Sequence, residues 1–379
     1  MKSYKHHGWD FNDVPMKAYF EPKSVFISKE SKHIDFSVYA GEEDSDSVLA
    51  KYRRAAIIHR LVRNNARKML RAEMKYWDVV KSVEDSILEY TKSGDRKSYF
   101  TNIGNYESGI AFPVGFSVNE IAAHDTSFPE DERFLNSGDV VKLDIGVVYD
   151  GCIIDSAFTH IVDDEDSIYK PLLDASADAT YSAIAISGVD ARLYEISETI
   201  QEIINSYEID LDSKTIHISP VRGLGGHNIL RNKVHGGKLI LCIPHKIQEN
   251  MKMEEGEIYA IETYASTGYG EITKKEDITH FSFEQEKLNK RGLKKFTKDS
   301  KSGIEQWLLN RKMLPFSFQW CEEGGIKNPL FYLRKYISSG VVNAYPPLTD
   351  TLHSKISQFE HTVHIKDTGV EILSLGDDY

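Results

Sequence analysis

The fold of this chain is decided by the stretch Val140-Val-Lys-Leu-Asp144-Ile-Gly-Val-Val-Tyr-Asp150-Gly151-Cys-Ile-Ile-Asp155-Ser-Ala-Phe-Thr-His160. Two runs rich in β-forming residues flank Asp150-Gly151, and an Asp-Gly pair in that position favours a two-residue hairpin turn. With this turn, Gly146 faces Asp155 on the opposite strand. Asp144 then lies on the same face as Asp155, as a diagonal neighbour roughly 7–8 Å away. The stretch therefore predicts an antiparallel hairpin that presents two carboxylates on one side.

The two aspartates lie among apolar residues, because Asp144 stands between Leu143 and Ile145 and Asp155 follows Ile154. If both were buried, their mutual repulsion would keep one protonated unless cations neutralised the pair. Taken alone, the hairpin favours a simpler interpretation, in which both carboxylates are solvated on an exposed face. Ligands elsewhere in the chain are needed to decide between the two.

The composition is that of a globular protein that can bury a large core, in one large domain or two ordinary ones. Of the 379 residues, 41% are hydrophobic and 27% are charged, and the formal net charge is −12. This charge argues against a nucleic-acid binder that depends on neutralising phosphates. We therefore expect no specific DNA partner.

The N-terminus has no apolar segment of the signal-peptide kind, and no apolar run is long enough to span a bilayer. No membrane association is therefore predicted. The three cysteines, Cys152, Cys242 and Cys321, are far apart and odd in number. They are interpreted as reduced thiols, which predicts a cytoplasmic protein.

The chain divides at about residue 46. Residues 1–46 are polar with scattered aromatic residues and are interpreted as a partly ordered arm, whereas residues 47–379 are interpreted as one catalytic domain. Helical spacing of apolar residues begins at Ser47, and a second amphipathic helix runs from Trp77 to about Leu88.

Two helices that cover a sheet are predicted from Tyr169 to about Ala185 and from Leu193 to about Tyr207. The stretch from about 283 to 344 then breaks the strand pattern, because it opens with a basic run and continues with helical patterns. We interpret it as a helical insertion in the domain.

Three further polar residues stand on or beside strands with apolar neighbours. His227 follows the Gly-rich approach Gly223-Leu-Gly225-Gly226, where missing side chains let other groups come close. Glu262 and Glu360 each interrupt an apolar strand, and such a carboxylate needs a partner. With the hairpin pair, the candidate metal ligands are Asp144, Asp155, His227, Glu262 and Glu360.

Four carboxylates and one imidazole offer hard oxygen donors and one borderline nitrogen. This set suits two divalent ions such as Mn²⁺, Fe²⁺, Co²⁺ or Zn²⁺, and not a thiolate zinc site. The four negative charges balance two dications. A water shared by two ions about 3.5–4 Å apart loses its proton near neutrality and can act as a nucleophile. Histidines outside the ligand set can then bind the carbonyl or amide of a substrate.

The order of these motifs resembles that of the type 2 methionine aminopeptidases, which have the pita-bread fold, of the α+β class. The motifs are Asp144 with Asp155, Gly226-His227, Ala260-Ile-Glu262-Thr and Gln358-Phe-Glu360-His-Thr. Supporting stretches are Gly109-Ile-Ala-Phe-Pro, Ala122-Ala-His124, His235-Gly-Gly-Lys, Tyr345-Pro-Pro-Leu and the terminal Gly376-Asp-Asp-Tyr379. The likeness runs from about residue 100 to 379, and a helical insertion between the last two ligand strands is typical of type 2.

The resemblance implies a metal-dependent aminopeptidase that removes the initiator methionine from nascent proteins when the second residue is small. Asp144 would bind one metal ion, and His227 and Glu262 would bind mainly the other. Asp155 and Glu360 would bridge the two ions. Glu262 would also accept the proton of the bridging water.

The resemblance also implies the substrate contacts. His124 would contact the scissile peptide and would be alkylated by fumagillin-type inhibitors, and His235 would steady the substrate carbonyl. The methionine pocket would be lined by Phe112, Val234, His280 and Tyr345. Association with ribosomes and a monomeric state are implied as well.

Three departures from the family pattern concern the pocket. Asp125 stands after His124 where Tyr is usual, Ile145-Gly-Val follows the first aspartate where Phe-Gly-Thr is usual, and Asn228 replaces a Ser. None of the five candidate ligands is lost, so the departures do not affect the reaction class.

Two alternatives share the fold. A proline-specific peptidase is one, but its usual motifs in the second half and its large N-terminal domain do not occur here. A catalytically inactive pita-bread binding protein is the other, and such a protein would have lost ligands. All five are present in this sequence, so the enzyme is the favoured interpretation.

Overall fold

The structure is a computed structural model that describes residues 5–6, 9–10, 47–164, 166–211, 214–284, 287 and 303–376. Most of the predicted arm (1–46), the basic run after Lys287 and the terminal residues 377–379 lie outside the described part. The division of the chain at residue 46 therefore stays a prediction.

Groups of helices and groups of strands follow one another along the described chain. The helices are α1 (Val48–Arg67), α2 (Tyr76–Thr91), α3 (Arg96–Thr101), α4 (Lys170–Ala185), α5 (Leu193–Asn205), α6 (Ile304–Arg311), α7 (Phe318–Glu323) and α8 (Pro329–Ser338). The strands of the first half are β1 (Lys5–His6), β2 (Trp9–Asp10), β3 (Gly109–Ile110), β4 (Gly115–Val118), β5 (Ile121–Ala123), β6 (Val140–Tyr149), β7 (Cys152–Ile161), β8 (Glu208–Leu211), β9 (Lys214–His217) and β10 (Ser219–Pro220). Those of the second half are β11 (Gly225–Ile229), β12 (Leu239–Leu241), β13 (Ile258–Ser266), β14 (Thr273–Lys274), β15 (His280–Phe283), β16 (Phe316–Ser317), β17 (Val342–Tyr345), β18 (Leu348–Thr349), β19 (Ile356–Lys366) and β20 (Gly369–Ile372).

The predicted hairpin is confirmed in its register. Strands β6 and β7 pair antiparallel over ten residues, with Tyr149 opposite Cys152 and Gly146 opposite Asp155. Asp150 and Gly151 in the turn have φ values of 46° and 75°. Positive φ at both central residues is the requirement of a type I′ turn, whose twist matches that of the strands it joins.

Two sheets meet at this hairpin. One contains β3, β4, β6 and β7, and the other has the order β12-β11-β13-β19-β20, with β10 beside β13. Side chains join β7 to β19 by bonding to the opposite backbone: Ser156 Oγ donates to the Glu360 carbonyl oxygen at 2.6 Å, and Thr159 Oγ1 to that of Gln358 at 2.7 Å. The two sheets are thereby fixed to each other next to the candidate ligands.

Helices cover the outer faces of both sheets and bury the apolar stripes seen in the sequence. Helix α1 begins where Ser47 Oγ accepts a hydrogen bond from the Ala50 amide at 3.2 Å, and it packs on β6 and β7. Helices α4 and α5 pack together, and α4 lies on β13 and β19. Two apolar cores result, one under α1 and α2 and one under α4 and α5.

The elements match the sequence-based expectations closely at two places. Helix α2 extends the predicted range from Trp77–Leu88 to Tyr76–Thr91. Strand β5 ends at Ala123, one residue before His124, whose φ of 65° lies in the left-handed region and leaves the strand.

Helices α6, α7 and α8 lie between β15 and β17, within the stretch 283–344. That this stretch is a helical insertion in the domain, and that the insertion distinguishes type 2 enzymes, stay predictions.

The glycines before His227 are required by strand spacing. Strand β11 lies between β12 and β13, and a Cβ on Gly226 would come within 2.3 Å of the Ala260 carbonyl oxygen. A methyl group there would push two central strands apart.

We expect Gly226→Ala to lower the free energy of unfolding by about 2 kcal/mol, the typical cost of overpacking a rigid interior. Urea unfolding followed by circular dichroism measures the change. Gly188→Ala is the matched control, because a Cβ at Gly188 meets nothing within 4 Å. Equal stability of the two variants would show that strand spacing does not limit this position.

Candidate metal centre and substrate pocket

The five candidate ligands come from five different strands and meet where the two sheets join. Asp144 and Asp155 lie on β6 and β7, His227 on β11, and Glu262 and Glu360 directly opposite each other on β13 and β19. Ligand oxygens of Asp144, Asp155 and Glu360 all lie within 4.8 Å of one another. His227 Nε2 is 3.7 Å from an Asp155 oxygen and 3.8 Å from a Glu262 oxygen. The structure therefore brings all five together.

Burial makes this cluster unstable as a set of free anions. Burial raises the pKa of Asp144 to about 6 and that of Glu262 to about 8, the latter with help from the Asp144 charge. Burial and neighbouring carboxylates raise the pKa values of Asp155 and Glu360 well above the ordinary range. The interpretation of a solvated pair on an exposed face is wrong for Asp144 and Asp155, because the second sheet covers that face of the hairpin.

The imidazole of His227 is neutral, which is the state in which a histidine can bind a metal ion. Burial lowers its pKa well below the usual value, with a further contribution from His235. Its Nδ1 lies 3.4 Å from the Asn228 carbonyl oxygen, which can only accept, so Nδ1 carries the proton. The unprotonated Nε2 is then the atom that faces the carboxylates, as metal ligation requires.

The residues present fit a divalent metal centre. Asp144 Oδ1 is buried without a hydrogen-bond partner among the described residues, and an oxygen in that state needs a cation. Four carboxylates with one neutral imidazole are the donors that Mn²⁺, Fe²⁺, Co²⁺ and Zn²⁺ accept.

Gln358 is a member of the site to which the sequence reasoning assigned no role. Its Nε2 donates to Asp144 Oδ2 at 3.2 Å and to Glu262 Oε2 at 3.3 Å, and it lies 3.5 Å from Glu360 Oε2. One amide thus links carboxylates from three strands. The signal in the sequence was its position two residues before Glu360, which places both side chains on the same face of a strand.

A threonine on β19 fixes the backbone that carries Asp155. Thr362 Oγ1 accepts from the Asp155 amide at 2.8 Å and donates to the Asp155 carbonyl oxygen at 2.6 Å. Both main-chain groups of Asp155 are therefore held by a single side chain of the other sheet.

Three histidines and a tyrosine lie beside the acidic cluster. The ring centroids of His235 and His227 are 4.0 Å apart, and those of His124 are 5.9 Å from His280 and 5.5 Å from Tyr345. Desolvation by the surrounding protein lowers the pKa values of His124, which is half-buried, and of His235, which keeps an exposed surface, and burial lowers that of His280 to about 3. All three rings are therefore neutral near pH 7.

The proton on His124 can be located. Nδ1 lies 3.3 Å from the Pro346 carbonyl oxygen, so Nδ1 bears the proton and Nε2 is left as an acceptor. The positive φ of this residue is a backbone conformation that non-glycine residues seldom adopt.

Phe112 and Val234 complete the set of predicted pocket residues. A Cβ on Gly146 would come within 2.3 Å of Phe112 Cε1, so the Phe112 ring lies directly on the glycine opposite Asp155. Val234 is buried and precedes His235. The Phe112 ring thus borders the acidic cluster, as a pocket residue must.

Two of the departures from the family pattern have a structural explanation. Asn228 Oδ1 accepts from the Lys238 amide at 2.9 Å and so holds the loop that carries His235. Asp125 forms an ion pair with Arg133 at 2.7 Å. The sequence alone indicated neither contact.

A buried centre of four carboxylates and one histidine within a pita-bread fold defines the class of protein, a metal-dependent hydrolase. A sequence model of Metallopeptidase family M24 matches residues 50–366. The chain belongs to this family and, within it, to the type 2 methionine aminopeptidases.

Curated relatives support this assignment, and solved structures show the same fold. Methionine aminopeptidase 2-2 of Neosartorya fischeri is 38% identical over 337 residues, which is 88% of this chain and 70% of the relative. Methionine aminopeptidase 2 of Laccaria bicolor is 35% identical over 360 residues, with 95% of each chain covered. The structure of a Thermotoga maritima methionine aminopeptidase has the same fold, with a TM-score of 0.57, 21% identity, and 88% and 98% of the two chains covered. A thermophilic Arx1 also has this fold, with a TM-score of 0.65, 17% identity, and coverage of 88% and 92%.

The remaining sequence-based expectations concern cysteines and membranes. Cys152, Cys242 and Cys321 are all free and buried. In the described ranges, no helix combines the length and the apolar character needed to cross a bilayer.

We expect the metal-free protein to lose stability as the pH rises from about 5 to about 8. The pKa values of Asp144 and Glu262 are higher in the folded chain than in an unfolded one, so the folded state binds more protons and its advantage disappears as those protons leave. A divalent ion competes with the same protons, so added Mn²⁺ should raise Tm more at the higher pH. Thermal unfolding with EDTA or Mn²⁺ at both pH values measures this.

Glu262→Gln is the control for the sign of this effect. It removes the carboxyl whose pKa is about 8, so the loss of stability above neutral pH should become smaller in the metal-free variant. An unchanged pH dependence would contradict the assignment of the effect to the acidic cluster.

Proposed function

We propose that this chain is a metal-dependent methionyl aminopeptidase that removes the initiator methionine from nascent proteins when the second residue is small. The observation that carries the proposal is the convergence of five candidate ligands, four of them buried and Asp144 half-buried, from five strands in a chain of this family. The type 2 relatives, 35–38% identical over most of the chain, support the same activity.

The site is proposed to hold two divalent ions, of Mn, Fe, Co or Zn. As the family resemblance implies, Asp144 would hold one ion, His227 and Glu262 the other, and Asp155 and Glu360 would be shared by both. The distances support this division, because His227 Nε2 lies near Glu262 and Asp155, whereas Asp144 clusters with Asp155 and Glu360. Bound ions of this kind supply a nucleophile by lowering the pKa of water toward neutrality.

The residues around the centre perform the proton transfers and hold the substrate. Glu262 would also accept the proton of the attacking water at its carboxylate, a role that rests on the family resemblance. His124 accepts a hydrogen bond from the scissile peptide N–H at its free Nε2. His235, also neutral, donates to the substrate carbonyl as negative charge develops on that oxygen.

The first side chain of the substrate is proposed to enter a pocket formed by Phe112, Val234, His280 and Tyr345. Phe112 lies against Gly146 beside the carboxylates, and Tyr345 is opposite His280 in the β15–β17 ladder. An apolar pocket next to the metal centre suits the thioether of methionine. The limit to a small second residue rests on the family resemblance.

The setting of the reaction is also a proposal. Free, buried cysteines agree with a reducing compartment, the cytoplasm, where nascent chains leave ribosomes. We extend the proposal to ribosome association, which the resemblance implies.

The two proposed bridging residues provide the test of the metal centre. Asp155→Asn and Glu360→Gln should each reduce Mn²⁺-dependent cleavage of the peptide Met-Ala-Ser at least about 1,000-fold, since removing one bridging charge weakens both ion sites. Release of free methionine is measured, and circular dichroism reports whether the fold is retained.

Asp190→Asn is the matched control, because Asp190 is exposed and has no role in the proposed site. In the described part of the chain, its side chain forms an ion pair with Lys252 at the surface. It should cleave Met-Ala-Ser as the wild type does. Full turnover by Asp155→Asn or Glu360→Gln would refute the proposed site.

His124 is proposed to be the residue that fumagillin-type epoxides alkylate. His124→Asn should abolish the covalent mass increase, because asparagine tolerates the positive φ but offers no nucleophilic nitrogen. Intact-protein mass spectrometry after incubation with fumagillin measures this. His217→Ala, which removes an exposed histidine, is the control and should be modified normally. A mass increase that persists in His124→Asn would assign the alkylation elsewhere.

A further inference from the structure

Arg311, the last residue of α6, is a charged side chain in the interior of the protein, with 3% of its surface exposed. Burial lowers the pKa of its guanidinium, but an arginine remains protonated at any physiological pH. Within the described part of the chain, no carboxylate forms an ion pair with it. A buried charge without a counter-ion must be held by other groups.

Main-chain carbonyl oxygens hold this guanidinium. Nη1 donates to the Ile110 oxygen at 3.0 Å and Nη2 to the Ala111 oxygen at 2.7 Å. Nε and Nη2 both donate to the Pro315 oxygen, at 3.0 and 2.6 Å. The planar group therefore connects the insertion to two successive peptide units of another segment.

Two aromatic residues fix the orientation of the guanidinium. The Tyr99 hydroxyl interacts electrostatically with it, and the Trp320 ring lies with its centroid 5.2 Å from Arg311 Cζ. A cation over an aromatic ring is stabilised when water is excluded, and Trp320 is fully buried.

The segment that Arg311 holds forms a wall of the proposed methionine pocket. The Ala111 amide donates to the Gly146 carbonyl oxygen at 2.9 Å, and the next residue, Phe112, places its ring on Gly146. One residue further, the Pro113 carbonyl oxygen accepts from His280 Nε2 at 3.3 Å. Ile110 to Pro113 is thus fixed on one side by β6 and on the other by Arg311.

The insertion reaches the pocket by a second route as well. Strand β16, which follows Pro315, pairs with β15 so that Ser317 is opposite His280 and Phe316 opposite Phe281. One contact of the insertion thus ends at the two residues that precede Phe112, and the other ends at His280.

We propose that Arg311 is a positioning residue that sets the width of the pocket for the first side chain of the substrate by holding the Ile110–Pro113 segment. The helical insertion then contributes to the specificity for the first side chain of the substrate. This inference rests on the proposed function, because it takes Phe112 and His280 as pocket residues. Only arginine suits the position, since lysine offers one point charge and cannot bond three carbonyls in a plane.

The test compares two peptides that differ by one methylene at the first side chain, Met-Ala-Ser and its ethionine analogue. In a fitted apolar pocket, one methylene changes kcat/KM about 10-fold or more. Arg311→Lys should raise KM for Met-Ala-Ser about 10-fold with kcat changed less than about 3-fold. It should also lower the ratio of kcat/KM for methionine over ethionine about 5-fold. Loss of folded protein alone would change both peptides equally and leave the ratio intact.

Tyr99→Phe is the second variant, in case Arg311→Lys does not fold. It removes the hydroxyl beside the guanidinium and keeps the ring. As in Arg311→Lys, KM for Met-Ala-Ser should rise and the ratio of kcat/KM for methionine over ethionine should fall, each by about 2- to 3-fold. Lys312→Gln is the matched control. Its side chain is exposed and paired with Glu107 at the surface, so both quantities should equal those of the wild type.

The outcomes separate this inference from the proposed function. If wild-type protein with Mn²⁺ cleaves neither peptide, the proposed function fails. If the wild type is active and the folded variants keep both KM and the ratio unchanged, the positioning role of Arg311 is overturned.

Discussion

Repulsion among four carboxylates in one buried place is the constraint on which the rest of this structure depends. Asp155, Glu262 and Glu360 are buried and Asp144 is half-buried, and their raised pKa values express the free energy needed to ionise them there. Such a cluster persists in a folded chain because the scaffold around it is rigid and because cations can neutralise it. The side chains that join the two sheets, and the amide of Gln358, supply that rigidity without adding charge.

The neutral histidines follow from the same burial. His124, His235 and His280 have lowered pKa values, so near pH 7 they are neutral and neither repel cations nor pair with the carboxylates. A neutral imidazole with one fixed proton can accept at one nitrogen and donate at the other. The environment that makes the carboxylates good metal ligands therefore also makes the histidines good substrate ligands.

Much of the fold and the site could be predicted from local signals. The register of the β6–β7 hairpin followed from Asp150-Gly151, and the polar residues in apolar strands marked all five residues that the structure brings together. Local signals failed where a role depends on a distant partner. Nothing in the sequence around Gln358 shows that its amide reaches Asp144, 214 positions away. The same holds for Arg311, which bonds the carbonyl oxygens of Ile110 and Ala111, 201 and 200 positions earlier.

The sequence by itself determined the class of elements, the ligand types and the family, because turn residues, strand periodicity and motif order are properties of the chain alone. Only the tertiary structure decided that Asp144 and Asp155 are buried and not solvated, since that depends on the second sheet that covers them. It also decided which tautomer each histidine adopts and which loops support the pocket. Those outcomes depend on the positions of carbonyl oxygens in space, and the order of residues does not specify these positions until the chain has folded.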